Sequence, residues 1–181
     1  EQPPNVSATT IAQALSLNEV QVRKDLANVS GAGKPRTGYD TAGLIQTLEA
    51  CLGCGEKRQA VIVGAGKLGR ALLDYQGFET YGLSIEAAFD QSPDAVGVTD
   101  AGKRILPMAA LEAFVQTHPI RIGILTVPAD QAQQVCSRMC DCGIRAIWSF
   151  APRRLHVPEG VLVQYENMAA SLAVLSSHLA G

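Results

Sequence analysis

A glycine-rich turn between an apolar run and a helix-forming segment restricts the fold of this chain more than any other feature. Residues 59–63 are rich in β-branched side chains, which predicts a buried strand. Glycines follow at Gly64, Gly66 and Gly69, and a second apolar run ends on Asp90, 21 residues beyond Gly69. This order of strand, turn, helix, strand and acid matches the fingerprint of dinucleotide-binding βαβ units.

Each part of this fingerprint has a physical reason. Gly64 permits the tight turn, Gly66 leaves room for backbone to approach a pyrophosphate, and Gly69 lets the helix lie close on the strand. Asp90 would accept hydrogen bonds from an adenine-ribose diol and repel a 2′-phosphate, which predicts NAD(H) rather than NADP(H) as the cofactor. The predicted cofactor-binding turn consists of Gly64, Ala65, Gly66, Lys67, Leu68 and Gly69.

Length and composition are those of a globular protein. The chain has 181 residues, 47% hydrophobic and 18% charged, enough for one large domain or two small ones. No apolar run approaches the ~20 residues of a membrane helix, and the start carries no signal-peptide pattern, so a cytoplasmic protein without a membrane partner is predicted. The absence of an initiator Met predicts that residues precede this start. Five cysteines and three scattered histidines predict reduced thiols and no metal site.

The first 30 residues predict two short helices joined by a tight turn. Ser7 and Asn18 are suited to cap them, with Gln21 completing a capping box behind Asn18. Ile11 and Leu15 are expected on the apolar face of the first helix. On the second helix Gln21, Arg23 and Lys24 lie off the apolar stripe and are donor types that meet phosphates and base edges. Both a helix-turn-helix that binds DNA and an ordinary solvated helix face fit this pattern.

Residues 30–39 are dense in turn formers and predict a flexible hairpin or wing that carries Lys34 and Arg36. Four basic residues and one acidic residue lie between Gln21 and Gly38, a local excess of +3. Residues 1–58 as a whole contain six basic and six acidic residues, so the basic patch is small. A third helix is predicted, with Asp40 as its N-cap and Gly53 at its end, followed by an interdomain link at residues 54–58.

Strands and helices alternate beyond Asp90. Strands are predicted at residues 104–106, a weak edge strand, and at 121–127 and 146–150, with helices opening at Pro107 and Pro128. This alternation predicts a doubly wound parallel sheet of α/β class. Ligands of such sheets bind at the carboxyl ends of the strands, which predicts one crevice formed by the glycine turn, Asp90, residues 126–128 and residues 150–152.

The end of the chain predicts an extended segment at residues 157–163 and a helix at residues 167–179. Met168, Leu172, Leu175 and Leu179 form one apolar stripe on that helix. No later residues in this sequence could cover the stripe. The helix is therefore expected either to fold back on its own domain or to cross to another subunit.

Taken together, these motifs resemble the family of redox-sensing transcriptional repressors called Rex. The resemblance covers nearly the whole chain and rests on residues 21–26, 33–40, 64–72, 87–90, 124–129, 150–152 and 157–160. It implies a homodimer that binds palindromic operator DNA when NADH is low and releases it when NADH binds. The implied domains are a winged helix-turn-helix (1–53), a Rossmann domain (58–163) and a swapped C-terminal dimerisation helix (164–181).

The resemblance also implies roles for individual residues. The implied DNA contacts are Arg23, Lys24, Lys34 and Arg36, and Gln21 is added to them as a donor that lies off the apolar stripe of the second helix. The implied neighbours of the nicotinamide end of the cofactor are Tyr75, Thr126, Val127, Phe150 and Pro152. Pro128, at the same strand end as Val127, and Asn167, at the place of the family's acid, are also predicted to bind the cofactor. No residue is assigned a catalytic role.

Three departures separate this sequence from the family pattern. The family's first basic helix, which would precede Ser7, is absent, and Ser149 replaces the usual Asn before Phe150. Asn167 and Met168 stand where the family shows an Asp-Phe pair. Because that acid helps the site to respond to the cofactor, its loss predicts a weaker redox response.

Two other classes of function compete with this interpretation. An NAD-dependent reductase would need a general acid or base, but His118, His156 and Tyr75 have no evident partners in the sequence. A CoA-binding domain shares the glycine turn, but the carboxylate of Asp90 would repel the 3′-phosphate of CoA.

Overall fold

The computed structural model describes residues 3–53 and 57–179, and the chain divides into two compact units, Glu1–Glu56 and Lys57–Gly181. Most of the predicted link at residues 54–58 lies outside the described residues, as do Cys54 and the side chain of Leu52. Each unit has a hydrophobic core of its own.

The first unit contains three helices and a two-stranded sheet. Its elements are β1 (Asn5–Val6), α1 (Ala8–Leu15), α2 (Glu19–Ser30), β2 (Tyr39–Asp40) and α3 (Thr41–Leu52), with β1 and β2 antiparallel. All three predicted caps are confirmed, because Ser7, Asn18 and Asp40 accept backbone N–H groups of the helices that they precede. This is the predicted winged helix-turn-helix arrangement, and the fold prediction for this part of the chain is confirmed.

Two local predictions in this unit are wrong. Gln21 does not complete a capping box, because its amide donates to the carboxylate of Asp25 at 2.7 Å. Leu15 is 62% exposed, and the small side chains Ala8 and Ala12 face the core instead. Helix α1 is thus packed close to its neighbours through alanines, together with Val22, Leu26 and Leu44.

The second unit is a seven-stranded sheet with helices on both faces. Its elements are β3 (Arg58–Val63), α4 (Lys67–Leu73), β4 (Leu83–Asp90), β5 (Gly97–Val98), β6 (Arg104–Pro107), α5 (Leu111–Thr117), β7 (Ile120–Leu125), α6 (Ala129–Asp141), β8 (Ala146–Ser149), β9 (Leu162–Tyr165) and α7 (Met168–His178). Short 3-10 helices lie at Gln76–Tyr81, Pro93–Ala95 and Met108–Ala110.

The strand order is β5-β6-β4-β3-β7-β8-β9, and all neighbouring pairs are parallel except β5 with β6. The chain order therefore reverses between β3 and β7, which is the switch point where doubly wound sheets bind ligands. The predicted Rossmann-type sheet is confirmed. Strand β6 is not an edge strand, because β5 lies outside it. Pro107 ends β6 and also precedes the 3-10 helix Met108–Ala110, which leads into α5.

Alternate residues of the central strand supply the cores on the two faces of the sheet. Val61 and Val63 pack with α5 and α6, whereas Ile62 packs with Leu73 of α4. Side chains buried on both faces explain why the strand sequences are continuously apolar rather than alternating.

The end of the chain differs partly from the prediction. Strand β9 is confined to Leu162–Tyr165, because Val161 closes a turn on the carbonyl of Pro158. Helix α7 forms as predicted, but none of its residues is buried. Met168, Leu172 and Leu175 are 62%, 68% and 65% exposed, so the described part of the chain does not cover the apolar stripe.

None of the helices in the described residues is both long enough and apolar enough to cross a membrane.

Candidate functional site

A crevice of about 470 Å³ opens at the carboxyl ends of β3, β4 and β7. The glycine turn forms one side of the crevice, the segment after β4 forms a second, and the start of α6 forms a third. Its lining comprises Val63, Gly64, Gly66, Phe89, Asp90, Gln91, Ser92, Met108, Thr126, Val127, Pro128, Gln131 and Val135. Polar groups at the strand ends and the apolar side chains of Met108, Val127 and Val135 suit a ligand with a phosphate and a flat aromatic ring.

Two glycines of the turn occupy positions that no side chain fits. Gly64 has φ +105°, and a Cβ there would lie 2.8 Å from Cγ1 of Val127. A Cβ on Gly69 would overlap the carbonyl oxygen of Gly64, so only glycine lets α4 lie this close to β3. At Gly66 a Cβ would meet nothing within 4 Å, so the backbone there borders open space. Lys67 begins α4 and is exposed, whereas Leu68 is half-buried.

Asp90 lies at the end of β4 and holds the walls of the crevice together. Its Oδ2 accepts the N–H of Ala65 at 2.6 Å, and its Oδ1 accepts the N–H of Ser92 at 2.8 Å. A carboxylate has about four acceptor positions, so two remain for the hydroxyls of a ribose. The acid that the sequence singled out for the ribose thus also organises the backbone around it.

Thr126 lines the crevice, but its hydroxyl is already engaged. The hydroxyl donates to the carbonyl oxygen of Gly64 at 2.6 Å, and the carbonyl oxygen of Val63 is a second, longer acceptor at 3.2 Å. The side chain therefore braces the glycine turn. Its predicted contact with the nicotinamide end stays a prediction, as does that of Val127 and Pro128.

The remaining predicted nicotinamide neighbours, Tyr75, Phe150, Pro152 and Asn167, lie outside the lining of this crevice. Phe150 packs edge-on against Trp148 at 4.5 Å between ring centroids, and Trp148 in turn packs against Phe78 at 6.0 Å. Tyr75 contacts Phe78 at 5.0 Å. The rings of Tyr75, Phe78, Trp148 and Phe150 form one aromatic row beside the α4 core. The lining of the crevice includes residues 126–128 but not residues 150–152.

Asn167 caps α7, because its side-chain oxygen accepts the N–H of Ala170 at 3.0 Å. The neighbouring carboxylate of Glu166 accepts the indole N–H of Trp148 at 3.0 Å. Glu166 is therefore held on the aromatic row, and the amide of Asn167 already has a structural partner.

Four of the five predicted nucleic-acid contacts of the first unit line two shallow cavities. The first, of about 430 Å³, has Arg23, Lys34 and Arg36 in its lining. The second, of about 420 Å³, lies between α2 and the wing and is lined in part by Arg23 and Lys24. Gln21 lines neither cavity. All five side chains are exposed, and their DNA contacts stay predictions.

The wing that carries Lys34 and Arg36 is a short hairpin. Lys34 and Gly38 exchange two backbone hydrogen bonds of 2.8 Å, and Arg36 at the tip has φ +66°. On α2, the side chain of Arg23 is 67% exposed, and its guanidinium pairs with the carboxylate of Glu19 at 2.5 Å. An exposed pair of this kind contributes little to stability, so Arg23 can exchange Glu19 for a phosphate at small cost.

Cys136 and Cys140 are buried and Cys142 is half-buried, and none of these three thiols is activated. Burial, with a smaller contribution from Cys140, raises the pKa of Cys136 to about 12. Burial also raises the pKa values of Cys140 and Cys142. At neutral pH all three are protonated, which makes them weak nucleophiles and poor metal ligands. Within residues 3–53 and 57–179, no group of three or more His, Cys, Asp or Glu side chains could hold a metal ion.

Several residues in and beside the crevice were not predicted from the sequence. Ser92 and Gln131 line it, and the amide of Gln91 donates to that of Gln131 across it at 2.8 Å. Arg70 donates to the carbonyls of Ala65 and Ala95. Arg70 directly follows the glycine turn, but this position alone does not indicate which carbonyls its guanidinium binds.

The fold and the crevice define a winged-helix protein with a Rossmann-type nucleotide-binding domain. Residues 55–153 match the protein family described as "CoA binding domain". A redox-sensing transcriptional repressor Rex of Treponema denticola is 40% identical over 170 residues, which cover 94% of this chain and 81% of the relative. The chain belongs to the Rex family of redox-sensing transcriptional repressors, as its motifs predicted.

Solved structures give the same result. The crystal structure of RSP in complex with β-NAD⁺ and operator DNA has a TM-score of 0.90 at 32% identity, covering 97% of this chain and 81% of that one. RSP in complex with β-NADH has a TM-score of 0.87 at 31% identity, and the match covers 97% of this chain and 82% of the RSP chain. RSP is described as a Rex-family repressor. The confirmed fold therefore extends over both units.

Proposed function

We propose that this protein is a transcriptional repressor that binds NAD(H) and operator DNA, with DNA binding coupled to the redox state of the cell. The observation that carries the proposal is the crevice at the β3–β7 switch point, where an open glycine turn faces Asp90. It occurs in a chain whose other unit is a winged helix with exposed cations. The relative RSP binds β-NAD⁺, β-NADH and operator DNA, which supports the same ligands here.

The proposed cofactor position follows from the crevice. The pyrophosphate lies against the backbone of Gly66, the adenine ribose meets Asp90, and the adenine lies between Met108 and Val135. The proposed partner of the repressor is palindromic DNA, because a two-fold dimer presents two identical winged helices to two half-sites. A repressor acts on chromosomal DNA, so we place the protein in the cytoplasm.

An enzymatic function is not proposed, since the Rex relatives are transcriptional repressors. The redox response is expected to be weaker than in family members that carry an acid at position 167. Asn167 has no charge with which to distinguish the cationic oxidised ring from the neutral reduced ring. This expectation stays a prediction.

We expect NADH to bind at least tenfold more tightly than NADPH. The extra 2′-phosphate of NADPH would meet the carboxylate of Asp90, and a penalty of only ~1.4 kcal/mol corresponds to a factor of ten. CoA, with its 3′-phosphate, should also bind more weakly than NADH. Calorimetric titration of the three ligands measures the ratios. Equal dissociation constants for NADH and NADPH would exclude Asp90 as the selective residue, and tighter binding of CoA would favour the competing CoA-binding function.

We expect the wing to contribute to DNA affinity without reading sequence. Replacing Lys34 with Ala should lower the slope of log K against log salt by about one unit and leave the preferred operator unchanged, because one phosphate contact is lost. Fluorescence anisotropy with a palindromic duplex at several salt concentrations provides the measurement. The control is Arg138→Gln, which removes an exposed cation from α6 in the second unit. A slope equal to that of the wild type in Lys34→Ala would remove the wing from the interface.

A further inference from the structure

The side chain of Arg70 connects the two backbone segments that form the pyrophosphate and ribose walls of the crevice. Its Nε donates to the carbonyl of Ala65 in the glycine turn, at 3.0 Å. Its Nη2 donates to the carbonyl of Ala95, beyond the end of β4, at 3.0 Å. Arg70 itself lies on α4 and does not belong to the lining of the crevice. The Arg70 side chain therefore holds both segments from outside the lining of the crevice.

Three further hydrogen bonds join the same two segments into a closed ring. The N–H of Ala65 donates to Asp90 Oδ2 at 2.6 Å, and the N–H of Ser92 donates to Asp90 Oδ1 at 2.8 Å. The N–H of Ala95 donates to the carbonyl of Ser92 at 3.1 Å. Arg70 supplies the two remaining bonds of the ring. Without its guanidinium, Asp90 would be the one side chain left in this ring that joins the glycine turn to the segment after β4.

The ring fixes the planes of two successive peptide units. In a trans peptide the C=O and the following N–H point in opposite directions. Thr126 holds the oxygen of the unit between Gly64 and Ala65, and Asp90 holds its N–H. Arg70 holds the oxygen of the next unit, and the opposite end of that unit is the N–H of Gly66.

The N–H of Gly66 is therefore directed away from the Arg70 guanidinium. Gly66 lines the crevice, and open space lies where its side chain would be. Within residues 57–179 no acceptor is found for this N–H. It is left as a fixed donor for an anion in the crevice.

We propose that Arg70 is a positioning residue for the dinucleotide pyrophosphate, and that it acts by orienting the N–H of Gly66. This inference rests on the proposed NAD(H) binding. The ring requires the planar fork of arginine, because one side chain must reach two carbonyls in fixed directions. Lysine would keep the charge but present a single ammonium group.

The test compares NADH, ADP and adenosine as ligands of the full chain and its Arg70→Gln variant, measured by calorimetry. We expect Arg70→Gln to weaken NADH and ADP by about tenfold or more, the usual effect of losing a well-directed hydrogen bond to a charged group. Adenosine, which has no pyrophosphate, should weaken by less than about threefold. The Gly66 amide resonance of the ligand-free variant should also move, because its peptide plane is released. Arg138→Gln removes an equal charge from an exposed position and should change none of these values.

Arg70→Lys separates positioning from charge and serves as the second variant if Arg70→Gln does not fold. We expect Arg70→Lys to lose ADP affinity nearly as much as Arg70→Gln. Full ADP affinity in Arg70→Lys would show that the charge, not the geometry, matters and would overturn the proposal. An equal loss for adenosine and ADP would also overturn it. If the wild-type protein did not bind NADH, the proposed function would fail, whereas NADH binding that is unchanged in both variants would overturn only the role of Arg70.

Discussion

Replacing Gly69 with Ala is expected to lower both the stability of the second unit and its affinity for NADH. The new Cβ would overlap the carbonyl oxygen of Gly64, which is backbone and cannot rotate away. Helix α4 must therefore move off β3, at a cost of about 1–3 kcal/mol for overpacking. The thermal midpoint should fall by roughly 5 °C or more. Because α4 carries the turn with it, NADH affinity should fall by more than about tenfold.

Gly66→Ala is the matched control for this effect. The same methyl group there meets no protein atom within 4 Å, and the backbone φ of −70° is ordinary for alanine. Stability should stay within ~0.5 kcal/mol of the wild type, while NADH affinity falls because the methyl enters the proposed pyrophosphate position. Calorimetry and thermal unfolding of both variants separate the two effects. A stable Gly69→Ala protein with wild-type affinity would show that the contact between helix and strand is dispensable.

The dinucleotide fingerprint could be predicted from the sequence because its constraints are local. The turn at Gly64, the close approach at Gly69 and the acid at the end of β4 each follow from a few consecutive residues. Caps such as Ser7 and Asp40 were predictable for the same reason, because a short polar side chain bonds a backbone N–H three residues away.

Features that depend on tertiary contacts could not be predicted from the sequence. The bonds from Arg70 to Ala95 and from Asp90 to Ala65 each span 25 residues, and nothing in the local pattern distinguishes them from solvent-exposed charges. The amide of Gln21 fits a capping box by spacing, yet Asp25 competes for it one turn later. Leu15 has the right helical phase, but alanines on α1 allow closer packing. In each case the structure depends on a contact that residue spacing alone does not indicate.

The aromatic row of Tyr75, Phe78, Trp148 and Phe150 could not be predicted either, because it also depends on tertiary contacts. Phe150 was placed in the crevice because residues that follow β8 share the carboxyl edge of the sheet with the glycine turn. The edge is wide, however, and the side chain packs on Trp148 on the face covered by α4. Sequence indicates which strand end a residue follows. It does not indicate which face the side chain takes once the strand has ended.

The apolar stripe on α7 has the most direct consequence for assembly. Met168, Leu172, Leu175 and Leu179 lie on one side of the helix, and each is at least 62% exposed. Of the two alternatives that the sequence left open, folding back onto the same chain is not what the structure shows for the described residues. A continuous apolar stripe of this kind marks an interaction surface. We propose that a second copy of the chain covers it.

Leu172→Glu is therefore expected to dissociate the dimer. Burying one leucine contributes about 1.5–3 kcal/mol, and a two-fold interface loses it twice, so the dimer dissociation constant should rise by about a hundredfold at least. Sedimentation velocity over a range of concentrations measures it. Ser177→Glu places the same charge on the opposite side of α7 and should leave the dimer intact. Since a monomer contacts one half-site, Leu172→Glu should also roughly halve the salt slope of operator binding. A Leu172→Glu protein that remains a tight dimer would place the main contact between subunits elsewhere than on α7.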